Sequence, residues 1–115
     1  MNSLSLIVLC YNDSQSLPGL VIEWLPVLHE LFPSYEIILV NDGSLDKTGS
    51  VCDHLVEKHP HVKVVHHPKN RGVGAGMATG MAHSSFDWIA YTDGDAQYVA
   101  EDLKVLAPLL SQWDV

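Results

Sequence analysis

Short apolar runs alternate along this chain with longer segments whose apolar residues recur every three or four positions. The apolar runs, typical of strands covered on both faces, lie at 4–10, 35–40, 62–65 and 86–91. The longer segments predict helices at 17–32, 46–58, 73–83 and 101–112. This β-α-β-α-β-α-β-α order predicts an α/β fold in which a parallel sheet carries helices on both faces.

Individual residues mark irregularities in these helices. Pro26 lies inside the first helical segment and is expected to kink or split it. Asp46 is expected to cap the start of the second helix. Gly76 and Gly80 stand one turn apart in the third, where glycine costs helix stability, so they are expected to permit close packing on the sheet. The stretch 66–72 is expected to be a loop.

Polar residues cluster where each predicted strand ends. The four clusters lie at 11–13, 41–44, 67–71 and 92–97. In open α/β sheets, ligands bind outside the carboxyl ends of the strands. The sequence therefore predicts that four clusters distant in the chain converge on one edge of the sheet.

The cluster after the fourth strand contains two carboxylates, Asp93 and Asp95. Burying such charges without partners is costly, whereas a hard divalent cation takes carboxylate oxygens and bridges to phosphates. The pattern favours a Mg²⁺ or Mn²⁺ site at Asp93 and Asp95, with Gln97 available to bond a diphosphate or a sugar hydroxyl. Because Asp-Gly is also common turn chemistry, a solvated turn is the alternative interpretation.

The other clusters offer groups suited to a nucleotide. Asp42 is placed to accept the ring N–H of a nucleobase, and Tyr11 to stack on the base. The alternatives are a turn cap for Asp42 and an ordinary half-buried tyrosine for Tyr11. Lys69 and Arg71 precede the third helix, whose N-terminus offers N–H groups and a positive dipole end to a phosphate. The alternative for this basic pair is solvated loop charge.

Composition and charge narrow the function classes. A length of 115 residues fits one domain spanning 1–115. The net charge of −8 argues against a nucleic-acid surface and against adhesion to anionic lipid. No secretory signal or membrane-spanning run is visible, so a cytoplasmic location is expected. Cys10 and Cys52 are expected to be reduced, buried thiols.

Two other cofactors fit the sequence poorly. The glycine-rich stretch 70–76 lacks the third glycine of a dinucleotide fingerprint, and it follows the third strand rather than the first. Histidine pairs occur at 59/61 and 66/67, but without the ligand spacing of a structural zinc site. A nicotinamide, a flavin and a structural zinc are therefore all disfavoured.

Four segments, in register, resemble the family 2 glycosyltransferases. They are LIVLCYND at 6–13, EIILVNDGSLDKT at 36–48, NRG at 70–72 and DGDAQ at 93–97. The D-x-D-x-Q form is most similar to the dolichol-phosphate mannosyltransferase-like and polyprenyl-phosphate glycosyltransferase branch. The resemblance implies a Rossmann-like fold of the GT-A type. It also implies a UDP- or GDP-sugar donor, a Mg²⁺ or Mn²⁺ cofactor, and inverting transfer to a lipid phosphate or a glycan.

The resemblance also assigns roles to particular residues. The implied nucleotide-sugar-binding residues are Tyr11, Asn12, Asp13, Asp42, Gly43, Arg71, Gly72, Asp93 and Gln97, and the implied metal ligands are Asp93 and Asp95. Asp13 stands where the family usually has glutamate, so a contact through water is expected. Asn41 replaces the first of two usual aspartates, which lowers the local charge and is expected to leave base recognition by Asp42 intact.

The general base of the family, usually an aspartate, is expected beyond Val115, in an acceptor half that this chain lacks. The chain is therefore expected to be a truncated, donor-binding portion that is inactive in transfer by itself. Two alternatives stay open. A non-catalytic nucleotide-binding or interaction module would give no turnover even when extended past Val115. A nucleotidyltransferase would release pyrophosphate, although 11–17 lacks the basic residue such enzymes usually place there.

Overall fold

The computed structural model of this chain describes residues 3–95. Within that range the elements are β1 (Ser3–Cys10), α1 (Leu17–Leu31), β2 (Ser34–Asp42), α2 (Thr48–Lys58), β3 (Val62–His67), α3 (Val73–Ala82) and β4 (Trp88–Asp93). Gln97 and the helix predicted over 101–112 lie outside the described residues. The predicted alternation of strands and helices is confirmed over the described part.

All strand pairs in the sheet are parallel, in the order β3-β2-β1-β4. The central strands are apolar and buried along almost their whole length, because helices cover both of their faces. Burial of both faces is the usual reason that parallel strands lack polar alternation. The expected parallel sheet is therefore confirmed.

Two apolar clusters, one on each face of the sheet, form the core. The larger contains alternate residues of β1 and β2 together with the inward sides of α1 and α2. The smaller joins Ile7, Leu9, Ile38 and Val40 to Met77 of α3. The face of the sheet that carries α3 is called the α3 face below.

Helix α3 lies very close to the sheet because glycines line its inner side. A Cβ atom on Gly76 would stand 2.2 Å from Leu9 Cδ1, and one on Gly80 would stand 2.5 Å from Ile7 Cγ2. Any larger residue would therefore push the helix away from β1. The close packing expected of these two glycines is confirmed.

The two cysteines meet in the larger core cluster. Cys10 and Cys52 are both free and buried, as expected. A hydrogen bond with Cys52 and burial raise the pKa of the Cys10 thiol well above its ordinary value. The uncharged thiol is therefore the form that this core favours.

Three local expectations differ from the structure in whole or in part. Pro26 does not split α1, which runs unbroken, and the kink expected as the alternative stays a prediction. Pro26 lies on the exposed side of the helix, while the neighbouring Val27 and Leu28 are buried against the sheet. The residue before α2 is Lys47, although the Asp46 carboxylate does accept the N–H of Thr48 at 2.9 Å.

The third difference concerns the end of β3. His66 and His67 extend this strand instead of beginning the loop, because they pair with Asn41 and Asp42 of β2. The His67 ring forms hydrogen bonds on the α3 face of the sheet, and the His66 ring forms hydrogen bonds on the opposite face. Separately, within residues 3–95 no helix combines the length and apolar character needed to cross a bilayer.

Candidate functional site

The loops that follow β1 and β2 are tied together by Asn12. Its backbone N–H donates to Ser44 Oγ at 3.1 Å, and its side-chain Oδ1 accepts the N–H of Leu45 at 2.9 Å. Asn12 has a φ of 53°, a left-handed conformation that asparagine tolerates better than most residues. The first two predicted clusters therefore form one surface.

The third cluster is bound to the end of β2 through Asp42. Its Oδ1 accepts the N–H of Arg71 at 2.9 Å and the ring Nδ1–H of His67 at 2.8 Å. Its Oδ2 accepts the N–H of Gly72 at 2.9 Å. Asp42 is only 2% exposed. Its bonds to the N–H groups of Arg71 and Gly72 therefore hold the loop between β3 and α3 from the protein interior.

These bonds decide the charge state of Asp42. Burial by itself would raise the pKa of this carboxyl. The hydrogen bonds from His67, Arg71 and Gly72 outweigh burial and hold the pKa below its ordinary value of 3.8. An ionised carboxylate can accept about four hydrogen bonds, and the described residues supply three of them, two to Oδ1 and one to Oδ2.

The fourth cluster lies against the end of β1. The N–H of Gly94 donates to the Leu9 carbonyl oxygen at 2.9 Å, and Ser16 Oγ donates to the Gly94 carbonyl oxygen. A Cβ on Gly94 would stand 2.7 Å from Asp13 Oδ2. Asp13 therefore lies directly against the Asp-Gly-Asp turn, and its expected contact with the nucleotide-sugar through water stays a prediction.

The register of the sheet places Asp42 and Asp93 on the same face. Leu9 of β1 lies opposite both Val40 and Asp93. Residues paired across parallel strands point to the same face, and the face alternates along a strand. Asp93 thus shares the α3 face with Val40 and, two residues on, with Asp42. Only β1 separates their strands, a spacing of about 10 Å.

The four clusters therefore meet at one edge, as the sequence predicts. Tyr11 is 42% exposed there, so its ring is accessible, and its N–H donates to Asp13 Oδ2 at 2.9 Å. Asp93 accepts a hydrogen bond from the Tyr91 hydroxyl. The side chain of Arg71 is exposed beside Gly72.

Negative charge is concentrated at this edge. Burial raises the pKa of the Asp13 carboxyl above its ordinary value of 3.8, although the Tyr11 N–H opposes this effect. The carboxylates that raise it further are Asp95, Asp46 and Asp93. A bound cation would relieve this repulsion, and carboxylate oxygens are the ligands that Mg²⁺ and Mn²⁺ prefer. The residues present therefore fit a divalent cation.

The side chains of the described part of the chain do not surround such a cation by themselves. Among residues 3–95, no three His, Cys, Asp or Glu side chains are grouped closely enough to hold an ion. The assignment of Asp93 and Asp95 as ligands stays a prediction, as do the nucleotide contacts of the other site residues.

Gly43 fits a narrow space beneath the loop between β3 and α3. Its φ is 69°, and a Cβ atom there would stand 2.2 Å from the carbonyl carbon of Lys69 and 2.3 Å from the N of Asn70. The backbone of that loop therefore rests directly on Gly43. Gly43 therefore supports that loop, and its expected contact with the nucleotide-sugar stays a prediction.

Sequence reasoning gave no individual role to two residues of the site, Thr79 and His67, although His67 lies in the predicted polar cluster 67–71. His67 joins Asp42 to Thr79 Oγ1 of α3, at 2.8 Å through each ring nitrogen. The available signal was weak, since two adjacent histidines after an apolar run are typical of a loop. Extending the apolar run by two residues would have placed His67 beside Asp42 on the α3 face.

Comparison with known proteins identifies the same family that the sequence motifs resemble. The family model for glycosyl transferase family 2 matches residues 5–115. A dolichyl-phosphate beta-glucosyltransferase, ALG5A, of Trichomonas vaginalis is 32% identical over 108 residues, which are 90% of this chain and 33% of that protein. The chain thus spans about a third of the length of this curated relative.

Solved structures share the fold. The mannosyltransferase PcManGT from Pyrobaculum calidifontis, in complex with GDP-Man and Mn²⁺, has a TM-score of 0.69 and 28% identity, covering 93% of this chain and 31% of its own. S. aureus TarS in complex with UDP-GlcNAc has a TM-score of 0.73 and 24% identity, covering 96% and 31%. The Rossmann-like GT-A architecture implied by the sequence is therefore confirmed.

Proposed function

We propose that this chain, which belongs to glycosyl transferase family 2, binds the nucleotide-diphospho-sugar donor of a sugar transfer reaction. One observation carries the proposal: Asp42, the Asp-Gly-Asp turn and Tyr11 occupy one edge of the sheet, with Asp42 and Asp93 on the same face. Such an edge is where α/β sheets bind nucleotides.

The nucleoside is held by the ends of β1 and β2. Tyr11 presents an exposed ring on which a base can stack. A fourth acceptor position, on Asp42 Oδ2, takes a base N–H, while the other positions of that carboxylate hold the loop. Arg71 lies beside it, as do the N–H groups of the first turn of α3, which have no acceptor within their own helix and suit a phosphate.

Asp93 and Asp95 are the residues that would hold Mg²⁺ or Mn²⁺, together with the diphosphate of the donor. The two carboxylates that follow the fourth apolar run suit this role, because Mg²⁺ commonly joins one or two carboxylates to substrate phosphates. The Mn²⁺ and GDP-Man bound by PcManGT give further support. When bound, the cation supplies charge stabilisation for the leaving diphosphate.

The acceptor of the whole protein is proposed to be a polyprenyl phosphate. Support comes from the name of the Trichomonas relative, a dolichyl-phosphate glucosyltransferase that matches 90% of this chain. The proposed reaction inverts the anomeric carbon and uses a base outside the site described here. Within that reaction, the role proposed for this chain is to bind the nucleotide-sugar donor.

Calorimetric titration tests the proposal. UDP-glucose and GDP-mannose are each titrated into the 115-residue chain with Mn²⁺ and with a chelator. We expect Mn²⁺-dependent binding of one donor, weakened about tenfold or more by Asp95→Ala, a loss near 1.4 kcal/mol or above. Asp87→Ala removes the same charge at the opposite edge, just before β4, and should bind like the wild type. Metal-independent binding, equal in all three proteins, would reject the proposal.

The repulsion around Asp13 makes a second prediction. Asp13→Asn keeps an oxygen for the Tyr11 N–H and removes one negative charge, so the metal-free protein should melt a few degrees higher at pH 7. Because the pKa of Asp13 is raised in the folded state, the ionised group costs stability only above its unfolded pKa. The gain should therefore vanish as the pH falls below about 3.8. Thermal melts across pH measure it, and an unchanged or lower Tm at pH 7 would contradict it.

A further inference from the structure

We infer that His67 is a positioning residue, which orients the Asp42 carboxylate and through it the loop over the nucleotide site. The expected effect on nucleotide binding rests on the proposed function, whereas the role of His67 in holding Asp42 rests on side-chain geometry alone. His67 lies on β3 directly beside Asp42 on β2. Its side chain is 4% exposed, and so is that of Asp42.

Both ring nitrogens of His67 are engaged. Nδ1 lies 2.8 Å from Asp42 Oδ1, and because an ionised carboxylate only accepts, Nδ1 carries the proton. Nε2 lies 2.8 Å from Thr79 Oγ1 of α3. The ring is therefore held between a strand and a helix and cannot rotate without breaking one of these bonds.

This orientation fixes the carboxylate that holds the loop. With Oδ1 bound to His67 and to the Arg71 N–H, Oδ2 faces the Gly72 N–H. Gly72 is the residue before α3 and has a φ of 94°. Rotation of the Asp42 side chain would release both amides, and the start of α3 would lose its present direction toward the site.

The adjacent histidine provides a matched control. His66 points to the other face of the sheet, where it lies 3.0 Å from Asn41 Nδ2 and 2.8 Å from Asp53 Oδ1. Its side chain is 40% exposed. It has the same chemistry as His67 and the neighbouring position on the same strand, but no bond to Asp42.

Two amide substitutions at His67 distinguish the loss of its hydrogen bond to Asp42 from the loss of side-chain packing. His67→Asn places an amide nitrogen near the position of Nδ1 and keeps the bond to Asp42, whereas His67→Gln places it near Nε2 and loses that bond. We expect His67→Asn to bind the nucleotide-sugar within about threefold of wild type, and His67→Gln to lose about tenfold or more, as for a lost bond to a charged group. His66→Gln should change affinity little.

Amide hydrogen exchange without nucleotide gives a second readout. His67→Gln should speed exchange at Arg71 and Gly72 at least about tenfold, whereas His67→Asn, which keeps the bond to Asp42 and loses only the bond to Thr79, should speed it by less. If His67→Gln fails to fold, Thr79→Val, which also loses only the bond to Thr79, should speed the same amides to the smaller extent expected of His67→Asn. Wild-type exchange and affinity in His67→Gln, or wild-type exchange in Thr79→Val, would overturn the inference. Failure of the wild type to bind any donor would reject the proposed function, and the exchange result would still decide the role of His67.

Discussion

Replacing Asp42 with asparagine is expected to lower the free energy of unfolding by about 2–4 kcal/mol. The wild-type carboxylate accepts from His67, Arg71 and Gly72, with both oxygens used. An amide has one accepting oxygen, so whichever way it is turned, its NH₂ group faces a donor. A buried donor left without an acceptor costs about 1–3 kcal/mol, a large fraction of the stability of a small domain.

Urea denaturation followed by circular dichroism measures this effect. Asp53→Asn is the control, because Asp53 also accepts from a histidine, His66, but its side chain is 65% exposed. Its loss should stay near or below about 1 kcal/mol, the usual contribution of a surface pair. Equal losses in the two variants would contradict the role given to Asp42.

The pH dependence of the difference gives an independent check. The pKa of Asp42 is lower in the folded protein than its ordinary value of 3.8. The carboxylate therefore contributes its full stabilisation above the unfolded pKa and loses it as the pH falls through the folded pKa. The stability gap between wild type and Asp42→Asn should be constant near neutral pH and shrink in acid below about 3.8.

Replacing Gly43 with alanine is expected to cost about 2–5 kcal/mol, for two reasons that add. The left-handed φ of 69° costs an L-residue about 1–2 kcal/mol, and overpacking typically costs a further 1–3 kcal/mol or so. The added methyl would meet the Lys69 carbonyl carbon at 2.2 Å, and a backbone atom there cannot swing aside as a side chain can. The loop that Asp42 anchors should therefore shift, and donor binding should fall as well.

Gly74→Ala is the matched control for this substitution. A Cβ on Gly74 meets nothing within 4 Å, and alanine is the better helix former. Its stability and donor affinity should equal or slightly exceed those of the wild type. If urea denaturation and calorimetry showed the two variants to be alike, the contact between Gly43 and the loop would be unimportant.

The sequence predicted the shared edge because parallel strands impose it. Once β1, β2 and β4 were identified as parallel, the polar residues after each had to lie at the same end. The common face of Asp42 and Asp93 follows from the register with Leu9, which periodicity alone does not determine. Register depends on how side chains pack across the strands and against the helices, as where Gly76 and Gly80 of α3 meet Leu9 and Ile7 of β1.

The hydrogen bonds of Asp42 to His67 and to the loop before α3 could not be predicted from the sequence. An aspartate at the end of a strand can cap a turn, bind a base or anchor a neighbouring loop, and all three use the same residue type. The choice depends on His67 being in β3, and two adjacent histidines give little local preference for strand. The unbroken helix at Pro26 has a similar cause, because tertiary packing of its buried neighbours outweighs local propensity.

Paramagnetic broadening by Mn²⁺ tests the proposed site most directly. Mn²⁺ is added to the ¹⁵N-labelled chain with and without its nucleotide-sugar, and amide signals are followed. With the donor present, the signals of Asp93, Gly94 and Asp95 should broaden first, followed by Tyr11 and Gly72, and broadening should be much weaker without it. Broadening centred on 59–61 at the opposite edge of the sheet, or equal with and without the donor, would contradict a donor-completed metal site at this edge.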